Sequence, residues 1–433
     1  MLDIKFIRNN TELVKNAVKN KNSKVDIDHL LQVDQKRRAL MTKLEEFQQQ
    51  KNEVAKKISE SKGDQDLIQK GKVIRSEIEG VTQEYNSIDT EYSALLLSVP
   101  NIPSDDTPIG KDDSENVVLR MVGEPRKFDF TPKAHWDLGA DAGLINTEKA
   151  GEISGARFAY LMGGLVHLQF ALIQFALSIV TDETILAEII KKNNLSVSSR
   201  PFTPIIPPVM IRPEVFSRMA RLEPKEERYY IPSDDMYLVG SAEHTLGPIH
   251  MDETFMKPEL LPVRYIGYST SFRREAGSYG KDTRGILRLH QFDKLELESF
   301  SMPGVSIAEQ NFLVAIQEHL LQKLGLPYRA VICCTGDMGD PDARHIDLET
   351  WMPGQDTYRE THSADLMNDY QSRRLNTRVK TEQGNEFVHM NDATLVALGR
   401  VMIAIMENYQ QADGSIAIPE VLKPFMPRSM SAL

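Results

Sequence analysis

The sequence predicts an α+β protein in two parts: an antiparallel two-helix coiled-coil arm, then a body on a mixed, mainly antiparallel β-sheet flanked by helices. Three observations carry that expectation. A heptad repeat occupies most of the first quarter of the 433 residues. A segment rich in Pro, Asp, Gly and Ser follows it, and beyond lie strand-like runs mixed with helices but without regular βαβ alternation.

The arm is the clearest element. Leu30, Val33, Arg37, Leu40, Leu44, Phe47, Lys51, Val54 and Ile58 alternate by three and four, as do Leu67, Gly71, Ile74, Ile78, Val81, Tyr85, Ile88, Tyr92, Leu95 and Val99. Each series is an a/d seam with the 3.5-residue period of a coiled coil. Between them SKGDQD carries Gly63 and reads as a turn, so the helices fold back on each other as a hairpin spanning about residues 28–99. Pro100 and Pro103 stop the second helix, because proline lacks the donor a helix interior needs. Polar outer faces suit a solvated, protruding rod.

Residues 101–129 read as a linker, and the domains are expected at 1–110 and 111–433. In the body, LPVRYIGYSTSFR and GILRLHQFDKLELESF alternate like paired antiparallel strands. VSIAEQNFLVAIQEHLLQKLG reads as a helix ending at Gly325, and TLVALGRVMIAIMENYQ as a long apolar helix. Phe158 to Val180 holds no charged residue for 23 positions, enough to span a bilayer, yet His167, Gln169, Gln174 and Gly163-Gly164 favour a short strand, RFAYLMG, and a buried helix from Leu165 to Thr181. No membrane partner is expected.

The two cysteines, Cys333 and Cys334, are adjacent and supply neither a disulfide framework nor a four-thiolate zinc site. With no export signal at MLDIKFIRNN, a cytoplasmic location is the expectation. The 62 acidic against 51 basic side chains give a formal charge of −11, which by itself argues against a nucleic-acid partner. Local charge argues otherwise: residues 1–24 hold Lys5, Arg8, Lys15, Lys19, Lys21 and Lys24 against Asp3 and Glu12, and the first arm helix adds Lys36, Arg37, Arg38, Lys43, Lys51, Lys56 and Lys57. Such patches attract phosphates.

No Walker phosphate loop, dinucleotide fingerprint, Ser-His-Asp elbow or H-E-x-x-H zinc helix is present. The densest chemistry lies in SFRREAGSYGKDTRGILRLHQFDKLELE, residues 271–298. If its halves are adjacent antiparallel strands, Arg273, Glu275, Arg288 and Phe292 converge on one face, with guanidinium forks for phosphate oxygens and a ring for a base. A salt-bridged surface hairpin is the plainer alternative for those residues alone.

That stretch resembles motif 2 of class II aminoacyl-tRNA synthetases, in its seryl-tRNA synthetase form without zinc. The resemblance extends over the chain: MLDIKFIRNN and the hairpin resemble the family's tRNA-binding arm, RFAYLMG and its helix motif 1, DLETWMPGQDTYRETHS the stretch before motif 3, and LGRVMIAIMENYQQADGSIAIPEVLKPFM motif 3 and the C-terminal tail. It implies a class II catalytic domain that activates L-serine with ATP and passes it to tRNA(Ser), with tRNA(Sec) as a second acceptor, in a homodimer. It implies that Arg273 binds the α-phosphate, Glu275 the adenine amino group, Phe292 and Arg400 the two adenine faces, and Arg288 the bent triphosphate. Glu360 and Ser363 match the Mg²⁺ positions. Ser241, Glu243, Glu296, Asp392 and Thr394, with Arg273, match the serine contacts, and Lys36, Arg37, Lys43 and Lys51 are the arm's candidates for tRNA.

The chain also departs from the family. Asp392-Ala393-Thr394 stands where Asn-Gly-Ser is common, Ser363-Ala364-Asp365-Leu366 where Ser-Cys-Ser-Asn is usual, and His244 follows Glu243 where an apolar or small residue is more usual. Two other readings therefore accompany the main one: a paralogue that loads a non-tRNA acceptor, and a non-catalytic tRNA-binding paralogue. The first is expected to lack the arm, the second to lose the motif arginines.

Overall fold

The computed structural model describes residues 1–61, 64–276, 282 and 284–433. The turn at Gly63, and Gly277–Lys281 and Thr283 of the motif 2 segment, lie outside the described residues. The chain divides into two compact units, Met1–Ile102 and Pro103–Leu433.

The first unit holds α1 (Ile4–Asn9), α2 (Thr11–Asn20), α3 (Ile27–Glu60) and α4 (Gln65–Leu97). Asp3, Asp26 and Asp64 cap α1, α3 and α4, each carboxylate accepting a backbone N–H that the first turn leaves unpaired. The long helices have 34 and 33 residues, so the rod is about 50 Å long. Their seam is the one the heptads predict: Leu30, Val33, Leu40 and Val54 are buried on α3, and Ile74, Val81, Ile88 and Tyr92 on α4. Arg37 occupies a seam position as an ion, donating to Asp89 and to the Tyr85 hydroxyl at 3.1 Å while its guanidinium lies 4.6 Å from the Tyr92 ring centre.

The second unit is organised by an eight-stranded sheet: β1 (Val117–Val122), β2 (Thr203–Ile205), β3 (Val263–Phe272), β4 (Gln291–Ser301), β5 (Tyr328–Ile332), β6 (Arg344–Met352), β7 (Thr357–Asn368) and β8 (His389–Ala397). In space they run β1-β5-β6-β7-β8-β4-β3-β2, every pair antiparallel except β2 with β3. The pair expected from the sequence, β3 with β4, sets Phe292 opposite Ser271 and Glu296 opposite Gly267.

Strand periodicity then divides chemistry between the two faces. Leu297, Ala393, Ala364 and Ile346 form one row across β4, β8, β7 and β6, and all belong to the main apolar core. One residue along, Glu298, Asp392, Asp365 and His345 form the next row, on the opposite face. The core also takes in α5 (Gly164–Val180), α6 (Ser306–Lys323) and α7 (Leu398–Tyr409). The uncharged α5 is thus a core helix, with Leu165, Leu168, Leu172 and Ala176 fully buried, and among the described residues no single helix is long and apolar enough to cross a membrane.

Two local expectations are corrected. The helix read from Thr394 begins at Leu398, because Thr394–Ala397 complete β8 and pair with Lys294–Glu296. Of RFAYLMG only Tyr160–Leu161 is strand. The cysteines follow directly on β5 and are both buried.

Candidate active site

The polar face of the sheet floors a cavity of about 320 Å³. Arg273, Glu275, Arg288, Phe292, Glu360, Ser363, Thr394 and Arg400, all candidates from sequence, line it. Glu243 lines it too, whereas Ser241, Glu296 and Asp392 are not among its lining residues.

One region is cationic. Arg273 donates through Nε to the Gly240 carbonyl at 3.0 Å, and its guanidinium lies 5.4 Å from the Phe292 ring centre. Arg288 pairs with Glu275 at 3.2 Å and Asp282 at 3.0 Å, and Asp282 also pairs with Arg359 at 3.2 Å. Arg400 binds the Glu360 carboxylate at 2.9 Å. Enclosure opposes ionisation of Glu360, but Arg400 outweighs it and holds the carboxyl down at about 2. The motif 2 segment returns to the sheet through a tight contact: Ile286 N–H donates to buried His135 Nε2 at 3.1 Å, and a Cβ on Gly285, where φ is +71°, would sit 2.0 Å from that nitrogen. Only glycine fits there.

The other region is a chain of short polar contacts. Ser241 Oγ donates to Glu296 Oε1 at 2.8 Å, Thr394 Oγ1 donates to the same oxygen at 3.2 Å, and Thr394 meets Ser363 Oγ at 3.1 Å. Lys294 neutralises Glu296 in direct contact, yet burial still raises the Glu296 pKa. From the core side, Gln317 on α6 clamps the carbonyls of Ser363 and Thr394 at 2.7 and 2.9 Å.

Two of the departures from the family pattern, Asp392 and Asp365, meet at one residue that sequence reasoning missed, Arg221. Its Nη2 lies 3.2 Å from Asp392, 3.4 Å from Asp365 and 3.5 Å from Asp342, and its Nε lies 3.4 Å from Glu243. Burial and the charges of Glu243 and Asp365 push the Asp392 carboxyl well above the usual range, which favours a neutral group in place of the expected amide. Burial disfavours the charge on Asp365 as well, but His345, Arg221 and a hydrogen bond with Asp392 bring it down to about 2. Glu298, wholly buried with both carboxylate oxygens unpartnered among the described residues, is raised well above its usual value by burial. His345 was also missed: Asp365 and Asp347 engage its two nitrogens, and despite burial they hold its pKa well above normal. The fold brings Cys333 Sγ to that pair, with ligand atoms of Cys333, His345 and Asp347 within 4.8 Å of one another. Arg221 had no signal in a charged loop-like run, but His345 and Asp347 alternate with the buried Ile346 and Leu348, a period-two pattern that marks a polar sheet face.

Of the arm candidates, Lys36 pairs with Glu84 at 3.2 Å and Arg37 is engaged inside the hairpin, while Lys43 and Lys51 are exposed.

An antiparallel sheet with motif arginines over its polar face defines a class II aminoacyl-tRNA synthetase. The model of the tRNA synthetase class II core domain (G, H, P, S and T) matches residues 228–409, and that of the seryl-tRNA synthetase N-terminal domain residues 1–103. The chain belongs to the seryl-tRNA synthetase family. It is 38% identical over 436 residues to the serine–tRNA ligase of Thermodesulfovibrio yellowstonii, covering 98% of this chain and 99% of the relative. It is 41% identical over 430 residues to that of Dehalococcoides mccartyi, covering 98% of each. Among solved structures, seryl-tRNA synthetase from Pyrococcus horikoshii complexed with ATP matches with a TM-score of 0.88 and 33% identity, covering 100% of this chain and 99% of the other.

Proposed function

We propose that the chain activates L-serine with ATP and transfers it to the 3′-terminal adenosine of tRNA(Ser), with tRNA(Sec) as a second acceptor. The observation that carries this reading is the single cavity shared by the three motif arginines and Glu243. Phe292 and Arg400 take the adenine between them, Glu275 receives its amino group, and Arg273 and Arg288 grip the phosphates. Glu243 receives the serine ammonium and Thr394 meets the hydroxyl at the cavity wall, with Glu296, Ser241 and the neutral form of Asp392 in the polar layer behind them. A pocket built to pair a hydroxyl discriminates against alanine, because its own polar groups would be stranded.

The serine carboxylate attacks the α-phosphorus in line, forming a P–O bond as the bond to the pyrophosphate oxygen breaks. Arg273 stabilises charge on the phosphorus oxygens, so positioning and electrostatics supply the rate. A ribose hydroxyl of the terminal adenosine then attacks the seryl carbonyl, and AMP leaves. The Glu360 carboxylate, ionised and half exposed, with the Ser363 hydroxyl, fits a hard cation; Mg²⁺ held there would neutralise the departing phosphates.

We further assign tRNA binding to residues 1–110, with Lys43 and Lys51 as its exposed cations beside Lys36 and Arg37, and catalysis to 111–433, in a cytoplasmic homodimer. Serine-dependent ATP–pyrophosphate exchange tests the core of the proposal. Purified protein that exchanges with neither serine nor any other amino acid would refute it.

A further inference from the structure

We propose that Arg221 is a positioning residue for the amino-acid substrate, fixing the Glu243 carboxylate in the orientation that receives the substrate ammonium group. The inference rests on the proposed function and goes beyond it, because Arg221 belongs to none of the motifs that carry the resemblance.

Glu243 is held between two groups. Its Oε1 lies 3.4 Å from Arg221 Nε on one side and 3.5 Å from His244 Nε2 on the other. His244 Nδ1 accepts from the Gly240 N–H at 3.1 Å, which leaves Nε2 as the protonated nitrogen facing Glu243. A cation on one side, in charge contact without a hydrogen bond, and an imidazole N–H on the other thus flank one carboxylate at the cavity wall. Arg221 is itself immobilised: Arg228 donates to its carbonyl from Nε at 3.1 Å and from Nη2 at 2.8 Å, and the chain turns into the site through Ala220, whose φ of 58° is a left-handed conformation that a β-carbon disfavours.

The rest of the guanidinium explains why an arginine is needed. Asp342, Asp365 and Asp392 surround Nη2 from the loop before β6, from β7 and from β8. The aspartates gather at Nη2 while Nε faces Glu243, so one delocalised cation reaches acids at both ends of its plane, which the compact ammonium of a lysine does less well. Without it, three further acids would stand behind Glu243 with less compensation, and like charges disfavour ionisation of each. Glu243 would then lose both its orientation and part of its charge, the two properties an ammonium subsite depends on. The ATP contacts proposed for Arg273, Arg288 and Arg400 do not pass through Arg221.

A double-substitution cycle on the full-length protein, read by ATP–pyrophosphate exchange, tests this. Arg221→Met is expected to raise the serine KM at least tenfold and to leave the ATP KM within twofold. Arg221→Lys should give an intermediate serine KM, and it carries the test if the Met variant does not fold. If Arg221 acts through Glu243, Arg221→Met combined with Glu243→Gln raises the serine KM no further than Glu243→Gln alone. A serine KM within twofold of wild type in a folded Arg221 variant, equal rises in both KM values, or additive effects in the double variant would each overturn the inference while leaving the proposed function standing. Absence of exchange in the wild-type protein overturns both; exchange with a different amino acid overturns the serine assignment alone, and the same cycle is then read with that amino acid.

Discussion

The outer faces of the arm and the catalytic sheet use charge in opposite ways. On the hairpin, Arg75–Glu79 at 3.3 Å and Lys36–Glu84 at 3.2 Å are at least half exposed on both sides, and solvent screens them. In the body, the Arg264 and Glu309 side chains are no more than 2% exposed, and the guanidinium also donates to the carbonyls of Ser198 and Arg200 at 2.7 and 2.9 Å. Exposed charges can be exchanged for one another, so they suit an extended polyanion read by its backbone. Buried ones hold a geometry, and removing one partner strands the other.

The sharpest break in that comparison comes from the site. Arg273→Ala is expected to lower serine-dependent exchange by about 10²- to 10³-fold, since one preorganised transition-state contact contributes about that much. Next is the buried pair: Arg264→Met leaves Glu309 uncompensated, and urea denaturation should show a loss of about 3–5 kcal/mol. On the arm, Lys43→Glu with Lys51→Glu should reduce kcat/KM for tRNA about tenfold at low salt, less at high salt, with exchange unchanged. Arg75→Ala should alter stability by only about 0.5 kcal/mol or less.

Glu298 adds a trend with pH to these single values. Its folded pKa lies above the unfolded value of about 4.3, so the folded state retains a proton that the unfolded state loses, and folding weakens as pH rises through that window. Melting temperatures of wild type and Glu298→Gln should therefore diverge in favour of the variant between pH 4 and pH 7. Parallel curves would show that the carboxyl ionises freely in the fold.

The same contrast explains what the sequence made legible. The arm is nearly one-dimensional: its contacts recur every three or four residues, so Leu30, Val33, Ile74 and Val81 announced themselves. The motif 2 pair was legible because β3 and β4 are close in sequence, and Arg273, Arg288 and Phe292 accordingly meet in one cavity. Arg221 was not, because its partners lie between 22 and 171 residues away on separate elements, and only sheet topology brings them together. The start of α7 was misplaced for a related reason. Thr394–Ala397 look locally like the first turn of an apolar helix, but pairing with β4 decides their conformation.

The row Glu298–Asp392–Asp365–His345 also bears on how such a site is reached by mutation. The charge states of Asp392, Asp365 and His345 depend on one another and on Arg221, so the cost of changing any one of them depends on the others. These residues thus form an epistatic unit with Arg221: removing the cation together with one of its acids should cost less than the sum of the two single losses.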